Sequence, residues 1–173
     1  VARGADALLL IGHERSPEVY QFLEAQRIPT LITWAFDGQS IRPSIGFDNR
    51  KAMRLMALKV IELGHSNLAF ISAETNQNDR AKARHWGIED AMGTSGLNPR
   101  DLHVLETTYG IEQGATAFEQ VMKAAPQTTA VICGNDVLGV GALRRAREMG
   151  VKVPQDVSIT GFDDIELAEI AYP

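Results

Sequence analysis

The sequence has little of what a metal site, a redox centre or a membrane span requires. It contains one cysteine in 173 residues, and Cys133 lies inside an apolar run, which predicts a small core residue rather than a nucleophile. The four histidines are scattered and form no His-x-x-x-His pair, so we predict no metal site. No run of about 18 apolar residues occurs, so we predict no helix that crosses a membrane.

Clustered positive charge is also missing. Lys and Arg number 17 against 22 Asp and Glu, which leaves a net charge of −5 and a pI near 5.4. Binding to nucleic-acid phosphates needs clustered Lys and Arg, so we expect these residues not to contact DNA themselves. The Gly-x-x-x-x-Gly-Lys phosphate loop is absent, and Gly139-x-Gly141 falls inside a predicted helix instead of at a strand-to-helix turn. No cofactor is therefore predicted.

The composition does support a packed core, because 45% of the residues are hydrophobic and 23% are charged. Domains commonly have about 100–150 residues, so the length allows one domain or one domain plus part of another. The chain begins without methionine, close to a buried-looking strand, and ends at Tyr172-Pro173 just after a helical pattern begins. We therefore expect it to be part of a longer protein.

A β-α-β pattern occupies residues 129–164. Residues 129–133 form a short apolar run, a helical pattern of about four turns follows Gly134, and residues 157–160 form a second apolar run. A crossover of this kind makes the two strands parallel, so their carboxyl ends lie at one edge of the sheet. Ligands of open α/β sheets bind at that edge, where we place Asn135, Asp136, Asp163 and Asp164.

The polar residues at this edge have two interpretations. Aspartate often caps the helix that follows it, so Asp136 and Asp164 either cap helices or serve a ligand. Asn135 and Asp163 precede the cap-like positions, so for them we favour a ligand-binding role.

The rest of the chain repeats this alternation of strands and helices. A hinge is predicted near Phe47-Asp48, where Asp48 caps a long helix, while Ser16 is predicted to cap the first helix. The carboxyl ends of parallel strands lie at one edge of a sheet, so we also place His13 and Trp34 close together, since each follows a predicted strand. The predicted strands cover residues 5–11, 28–33, 44–47, 67–72 and 103–106, and the predicted helices cover residues 16–26, 49–63, 80–95 and 111–125. This alternation predicts an α/β fold with doubly wound parallel sheets.

A series of short motifs occurs in a fixed order along the chain. Together they resemble the effector-binding core of the lactose-repressor/galactose-repressor family of bacterial transcription regulators. The motifs are Ile45-Gly46-Phe47-Asp48-Asn49, Leu63-Gly64-His65, Asn78-Asp79-Arg80-Ala81, Arg84-His85-Trp86-Gly87, Gly134-Asn135-Asp136, Gly139-x-Gly141-Ala142-Leu143, Val153-Pro154-x-Asp156-Val157-Ser158-Ile159 and Gly161-Phe162-Asp163-Asp164.

The resemblance implies a periplasmic-binding-protein-like fold of type I with two lobes. Residues 1–47 are then the later part of the N-terminal effector-binding lobe, which is only partly present, and residues 48–173 are the C-terminal lobe. A DNA-binding helix-turn-helix headpiece would precede these residues. The resemblance also implies a cytoplasmic homodimer, and helix 137–147, with its exposed-looking small residues, is one candidate dimer surface.

Under this resemblance four residues, Asp163, Asn135, Arg84 and Tyr109, match effector contacts of the family. Trp34 and His13 match positions that vary within the family, so a structural role and a ligand-binding role stay equally open for them. An ionised carboxylate accepts strong hydrogen bonds, an amide donates and accepts at once, and a guanidinium presents a planar fork to paired oxygens. An aromatic ring stacks on a sugar or a base. The predicted ligand-binding residues are Asp163, Asn135, Arg84, Tyr109, Trp34 and His13, of which the last two come from the first lobe.

Structural interpretations compete with some of these roles. If Arg84 has a structural role, it pairs with Glu89 or Asp90 on its own helix. If Tyr109 has a structural role, it is a partly buried aromatic residue in a loop. Arg80 and Asp79 are expected to support Arg84 rather than to touch the ligand.

The predicted function is a sensor that binds a small effector, most consistent with a sugar, between the lobes and controls DNA binding through the missing headpiece. One alternative is an exported periplasmic sugar-binding protein of a transporter, which shares the two-lobe fold. A flavodoxin-like enzyme that uses Asp136 and Asp163 is the other alternative, but no nucleophile or metal partner accompanies these carboxylates. We therefore predict no enzymatic activity.

Overall fold

The computed structural model describes residues 4–172, which form two parallel β-sheets. The first sheet has the strand order β1-β2-β3, and helix α1 connects β1 to β2. Its elements are β1 (Leu8–Ile11), α1 (Pro17–Ala25), β2 (Thr30–Thr33) and β3 (Ser44–Ile45). Ser16 occupies the N-cap position of α1 and Pro17 follows in the first turn, as predicted, but among the described residues the Ser16 side chain makes no capping hydrogen bond.

The second sheet has the parallel strand order β5-β4-β6-β7. The Asp48 side chain caps its first helix by accepting a hydrogen bond from the N–H of Lys51 at 2.9 Å, as predicted. The elements are α2 (Asn49–Glu62), β4 (Leu68–Ala73), α3 (Asp79–Thr94), β5 (His103–Thr107), α4 (Ile111–Ala124), β6 (Ala130–Cys133), α5 (Asp136–Glu148), β7 (Ser158–Thr160) and α6 (Glu166–Glu169). The predicted α/β class with doubly wound parallel sheets is confirmed, while the boundary between residues 47 and 48 stays a prediction.

The strand order changes direction around β4. This strand pairs with β5 on one side and with β6 on the other, so the connections leave it in opposite directions. Such a switch point opens a crevice outside the carboxyl ends of the strands. Gly134 lies at this point, and its N–H donates to the carbonyl oxygen of Ile71 at 2.7 Å.

Strand β4 is buried along its whole length and separates two apolar clusters. Successive side chains of a strand point to opposite faces of the sheet. Phe70 therefore packs with Met53 of α2 and Ile88 of α3, whereas Ile71 packs with Phe118 of α4. A sheet that is covered on both faces explains why its strands are nearly continuous apolar runs.

The single cysteine lies at the end of β6 and is fully buried. Burial raises the pKa of the Cys133 thiol to about 12, so the thiol stays protonated at neutral pH. The prediction of a core residue is confirmed.

Helices α4 and α5 approach closely because glycines lie at their contact. A Cβ atom at Gly141 of α5 would overlap the carbonyl oxygen of Ile111 and lie 2.8 Å from the amide nitrogen of Ala115. A Cβ atom at Gly114 of α4 would likewise overlap the carbonyl oxygen of Leu138. The small residues of α5 are thus buried against α4, so the expectation that they form an exposed face is wrong.

We expect Gly141→Ala to lower the free energy of unfolding by about 1–3 kcal/mol, because the added methyl group forces the two helix backbones apart. Urea unfolding followed by circular dichroism measures this change. Gly93→Ala is the matched control, since Gly93 is exposed near the end of α3 and a Cβ there meets only Pro99 Cγ at 3.8 Å. Alanine is the better helix former, so this control should stabilise by up to about 1 kcal/mol. Equal effects of the two substitutions would contradict the packing argument.

Candidate functional site

A cavity of about 210 Å³ lies between the two sheets, at the carboxyl ends of their strands. The first sheet contributes Ile11, the last residue of β1, and Trp34, which follows β2. The complete lining is Ile11, Trp34, Arg80, Arg84, Tyr109, Asn135 and Asp163. Five of the six predicted ligand-binding residues therefore line one cavity, as the edge argument predicts.

His13, the sixth predicted residue, lines a neighbouring groove instead. Its backbone N–H donates to Asp79 Oδ2 at 2.6 Å, which ties the loop after β1 to the start of α3. In the same region Lys82 Nζ lies 2.6 Å from Glu14 Oε1. These two contacts hold the first sheet against the second beside the cavity.

Arg84 is the most firmly held side chain of the cavity and is only 6% exposed. Its Nε donates to Asn49 Oδ1 at 2.8 Å, and one terminal nitrogen donates to the carbonyl oxygen of Gly134 at 2.5 Å. The other terminal nitrogen lies 3.4 Å from Asp163 Oδ1, and the guanidinium carbon lies 3.9 Å from the centre of the Phe162 ring. Burial lowers the pKa of Arg84, and the charge of Asp163 opposes this shift.

The alternative in which Arg84 pairs within its own helix is wrong. Asp90 instead accepts two hydrogen bonds from Arg50, at 2.6 and 2.8 Å, and Glu89 lies 3.7 Å from His85. Arg84 therefore points into the crevice and bonds to groups around the cavity.

Asp163 combines a strained backbone with a weakly paired carboxylate. Its φ of 101° lies in a region that side chains rarely adopt, and the next residue, Asp164, has a φ of 57°. The residue is exposed through its backbone, whereas its side chain is only 20% exposed. This partial burial raises the pKa of Asp163, and the guanidinium of Arg84 opposes the shift. Strain of this kind is typical of functional sites, where the surrounding structure maintains it.

Asn135, rather than Asp136, caps helix α5. Its Oδ1 accepts a hydrogen bond from the N–H of Leu138 at 3.0 Å. Asp136 is buried, and its Oδ2 accepts a hydrogen bond from the N–H of Ile165 at 2.9 Å, which holds the loop after β7. Asp164 also lacks the capping role, since Ile165 is the N-cap of α6. Within residues 4–172 the amide nitrogen of Asn135 makes no hydrogen bond, and Asn135 lines the cavity.

The structure adds cavity residues that the sequence did not assign to ligand contact. Ile11 and Arg80 line the wall, and Asn49 and Phe162 hold Arg84 in place. A sequence signal existed for Arg80, because it lies four residues before Arg84 and residues at that spacing share one face of a helix.

Comparison with known proteins identifies the family. The model of the periplasmic binding protein-like domain matches residues 57–173. The chain belongs to this family. The predicted resemblance to lactose-repressor-type effector-binding cores is confirmed, since the relatives below are regulators of that kind.

Three relatives illustrate the similarity. The HTH-type transcriptional regulator GntR of Escherichia coli (strain K12) is 30% identical over 168 residues, which cover 97% of this chain and 50% of that protein. A LacI family transcriptional regulator from Silicibacter pomeroyi has a TM-score of 0.82 at 28% identity, over 93% of this chain and 60% of that one. The complex of the transcriptional regulator CelR with cellobiose has a TM-score of 0.82 at 25% identity, over 98% of this chain and 52% of that one.

The chain thus spans about half the length of the curated relatives that it matches. These relatives are transcriptional regulators, which are not enzymes, so the enzyme alternative is not supported. Within residues 4–172 no three His, Cys, Asp or Glu side chains are grouped to hold a metal ion. None of the helices described for this part of the chain is both long and apolar enough to span a bilayer.

Proposed function

We propose that this chain is the ligand-sensing core of a bacterial transcriptional regulator of the repressor type. A small effector, a sugar or a sugar derivative, binds in the cavity and controls DNA binding by a helix-turn-helix headpiece outside these residues. The observation that carries this proposal is the convergence of Arg84, Asn135 and Asp163 with two aromatic residues in one cavity.

The cavity chemistry supports a sugar-like ligand. Asp163 accepts and Asn135 donates hydrogen bonds, which suits adjacent hydroxyl groups. Trp34 and Tyr109 are 54% and 50% exposed, so their rings are accessible for stacking on a sugar. Ligand pockets commonly measure about 300–1,000 Å³, so a cavity of 210 Å³ suits a ligand of monosaccharide size. The cellobiose bound by the relative CelR is in keeping with this class.

A ligand in this cavity contacts both sheets at once. Trp34 comes from the first sheet, whereas Arg84 and Asp163 come from the second. A ligand that contacts both binds more tightly when they are close together, and this difference in affinity shifts the population towards the closed arrangement. In a cytoplasmic homodimer, the shift repositions paired headpieces on a palindromic operator.

The rival proposal is an exported sugar-binding protein of a transporter. The relatives of this chain are transcriptional regulators, which favours the regulator over the exported protein. Determining the sequence that precedes Val1 in the gene discriminates the two proposals. A basic helix-turn-helix supports the regulator, and a secretory signal peptide supports the exported protein.

A thermal-shift screen of the full chain against neutral sugars, sugar acids and purines tests the proposal. A ligand at about 100 times its dissociation constant stabilises the folded state by about 2.7 kcal/mol. For a chain of this length we expect the melting temperature to rise by about 5–10 °C. If no sugar and no sugar acid raises the melting temperature, the proposed function is contradicted. If only purines raise the melting temperature, the proposed ligand class is contradicted.

A further inference from the structure

Arg80 is a partly buried cation whose guanidinium makes one long ion pair and, within residues 4–172, no hydrogen bond to a protein acceptor. It is the second residue of α3, its side chain is 17% exposed, and it packs against Gly12 of the first sheet. Within residues 4–172 its five N–H groups donate no side-chain hydrogen bond that meets normal geometry. The charged group nearest to it is Asp79, whose Oδ1 lies 3.6 Å from Arg80 Nη1. The guanidinium keeps some exposure and lines the cavity, so its unused donors are open to water or to a ligand there.

Asp79 occupies only part of the Arg80 guanidinium. Its Oδ1 is buried and has no hydrogen-bond partner among the described residues, but it lies too far from Arg80 Nη1 for a normal hydrogen bond. Its other oxygen, Oδ2, already accepts the backbone N–H of His13 at 2.6 Å. Asp79 also faces the neighbouring groove and is not part of the cavity lining, whereas Arg80 lines both spaces. The free donors of Arg80 are therefore available to a ligand in the cavity.

Arg84 cannot take the same role. Each of its three nitrogens already has one protein acceptor, namely Asn49, Gly134 or Asp163, so fewer of its five N–H donors remain. The two arginines of the cavity thus have different roles. Arg84 bonds to protein groups around the cavity, and Arg80 has donors that are open to a ligand.

The charges around the cavity favour a singly charged anion over a phosphate. Two arginines, Arg80 and Arg84, and one aspartate, Asp163, line the cavity, and Asp79 adds a second negative charge 3.6 Å from Arg80. Arg80 lies close enough to Arg84 and Asp163 to lower the pKa of each. A carboxylate adds one negative charge beside these two aspartates, whereas a phosphate adds about −1.5 to −2. Arg guanidinium groups bind carboxylates through two parallel hydrogen bonds.

We propose that the effector is a sugar acid, whose carboxylate binds Arg80 while its hydroxyl groups bind Asp163 and Asn135. This inference rests on the proposed function and assigns the ligand class of the same cavity. Arg80 is then the residue that distinguishes sugar acids from neutral sugars, not a support for Arg84.

Isothermal titration calorimetry with matched ligands tests this inference on the full chain. The pairs are D-galacturonate with D-galactose, D-glucuronate with D-glucose, and D-gluconate with D-glucitol, and glucose 6-phosphate provides the phosphate arm. We expect at least one acid to bind at least tenfold more tightly than its neutral counterpart. That preference should weaken at high ionic strength, because salt screens the charge of Arg80.

The variant Arg80→Gln removes the charge and keeps an amide donor. This variant should lose the preference for the acid and keep the weaker binding of the neutral sugar. A general loss of structure would instead abolish the binding of both ligands. Arg80 makes no hydrogen bond that holds the fold, so we expect an unchanged urea midpoint.

Arg100→Gln is the control, since Arg100 is exposed before β5, at the opposite edge of the sheet. It should bind the acid as the parent does.

The outcomes separate the two proposals. If a neutral sugar binds as tightly as its acid, or if Arg80→Gln keeps the preference, the sugar-acid assignment is wrong and the sugar-sensing function stands. If glucose 6-phosphate binds most tightly, the carboxylate assignment is wrong. If no sugar and no sugar acid binds, the proposed function fails together with this inference.

Discussion

Replacing Arg84 with methionine should lower the free energy of unfolding by about 3 kcal/mol or more. Methionine approximates the volume of the arginine stem but donates nothing, so Asn49 Oδ1 and the carbonyl oxygen of Gly134 lose their partners. Each buried acceptor left without a donor costs about 1–3 kcal/mol. Asp163 also loses its positive neighbour in a partly buried position, which adds to the penalty. Urea unfolding measures the change, with an unaltered slope as the test for two-state behaviour.

Arg50→Met is the matched control for this substitution. Arg50 lies on the adjacent helix α2 and makes a bidentate pair with Asp90, but its side chain is 52% exposed. Exposed pairs contribute at most about 1 kcal/mol, because water solvates both charges after the pair is broken. A loss of stability in Arg50→Met as large as that in Arg84→Met would contradict the view that burial of the hydrogen-bond network sets the cost.

Replacing Asp163 with asparagine should weaken effector binding by about 100-fold or more, because hydrogen bonds to a charged acceptor are about twice as strong as neutral ones. The unliganded protein should be at least as stable as the parent at pH 7. Asparagine tolerates positive φ values, and it removes a carboxylate whose pKa is raised by partial burial. Titration with the effector found in the screen gives the affinity, and urea unfolding gives the stability.

The pH dependence of stability provides a second measurement on the same variant. A group whose pKa is raised on folding contributes stability below its unfolded pKa of about 3.9, and that contribution is lost as pH rises through the raised folded value. Above its raised folded pKa, the Asp163 carboxylate therefore opposes folding. The stability advantage of Asp163→Asn should shrink as the pH falls through that raised pKa and should vanish below the unfolded pKa of about 3.9.

Asp164→Asn is the control for both measurements. Asp164 also has a positive φ and is exposed, but it does not line the cavity. It should leave the affinity unchanged. If Asp164→Asn weakens binding as much as Asp163→Asn, or if Asp163→Asn retains full affinity, Asp163 does not contact the effector.

The alternation of apolar runs and helical patterns was sufficient to predict the class of fold and the edge at which the site forms. Each strand of a β-α-β unit is short and apolar, and the parallel arrangement follows from the crossover itself. Residues that follow such strands, including Trp34, Tyr109 and Asn135, must therefore lie at the carboxyl edges. Local patterns carry this information because strand, turn and helix signals involve residues close in sequence.

Only the tertiary structure decided what each polar residue at that edge does. Arg84 bonds to groups that are 35, 50 and 79 residues away in the chain, and no local pattern specifies such partners. The same holds for Asp136, whose carboxylate holds the N–H of Ile165 rather than capping its own helix. His13 lines a separate groove because its backbone N–H binds Asp79 across the two sheets.

The sequence by itself determined the edge at which the cavity forms, because strand ends and helix starts follow from apolar periodicity. The tertiary structure alone decided which residues line it and which of their donors and acceptors are already occupied. Arg80 and Arg84 are the same residue type one helical turn apart, yet Arg84 donates hydrogen bonds to protein acceptors, whereas Arg80 makes only a long ion pair with Asp79. Hydrogen-bond partners depend on distances between segments remote in sequence, so the packing of the two sheets determines which side chain remains to bind the effector.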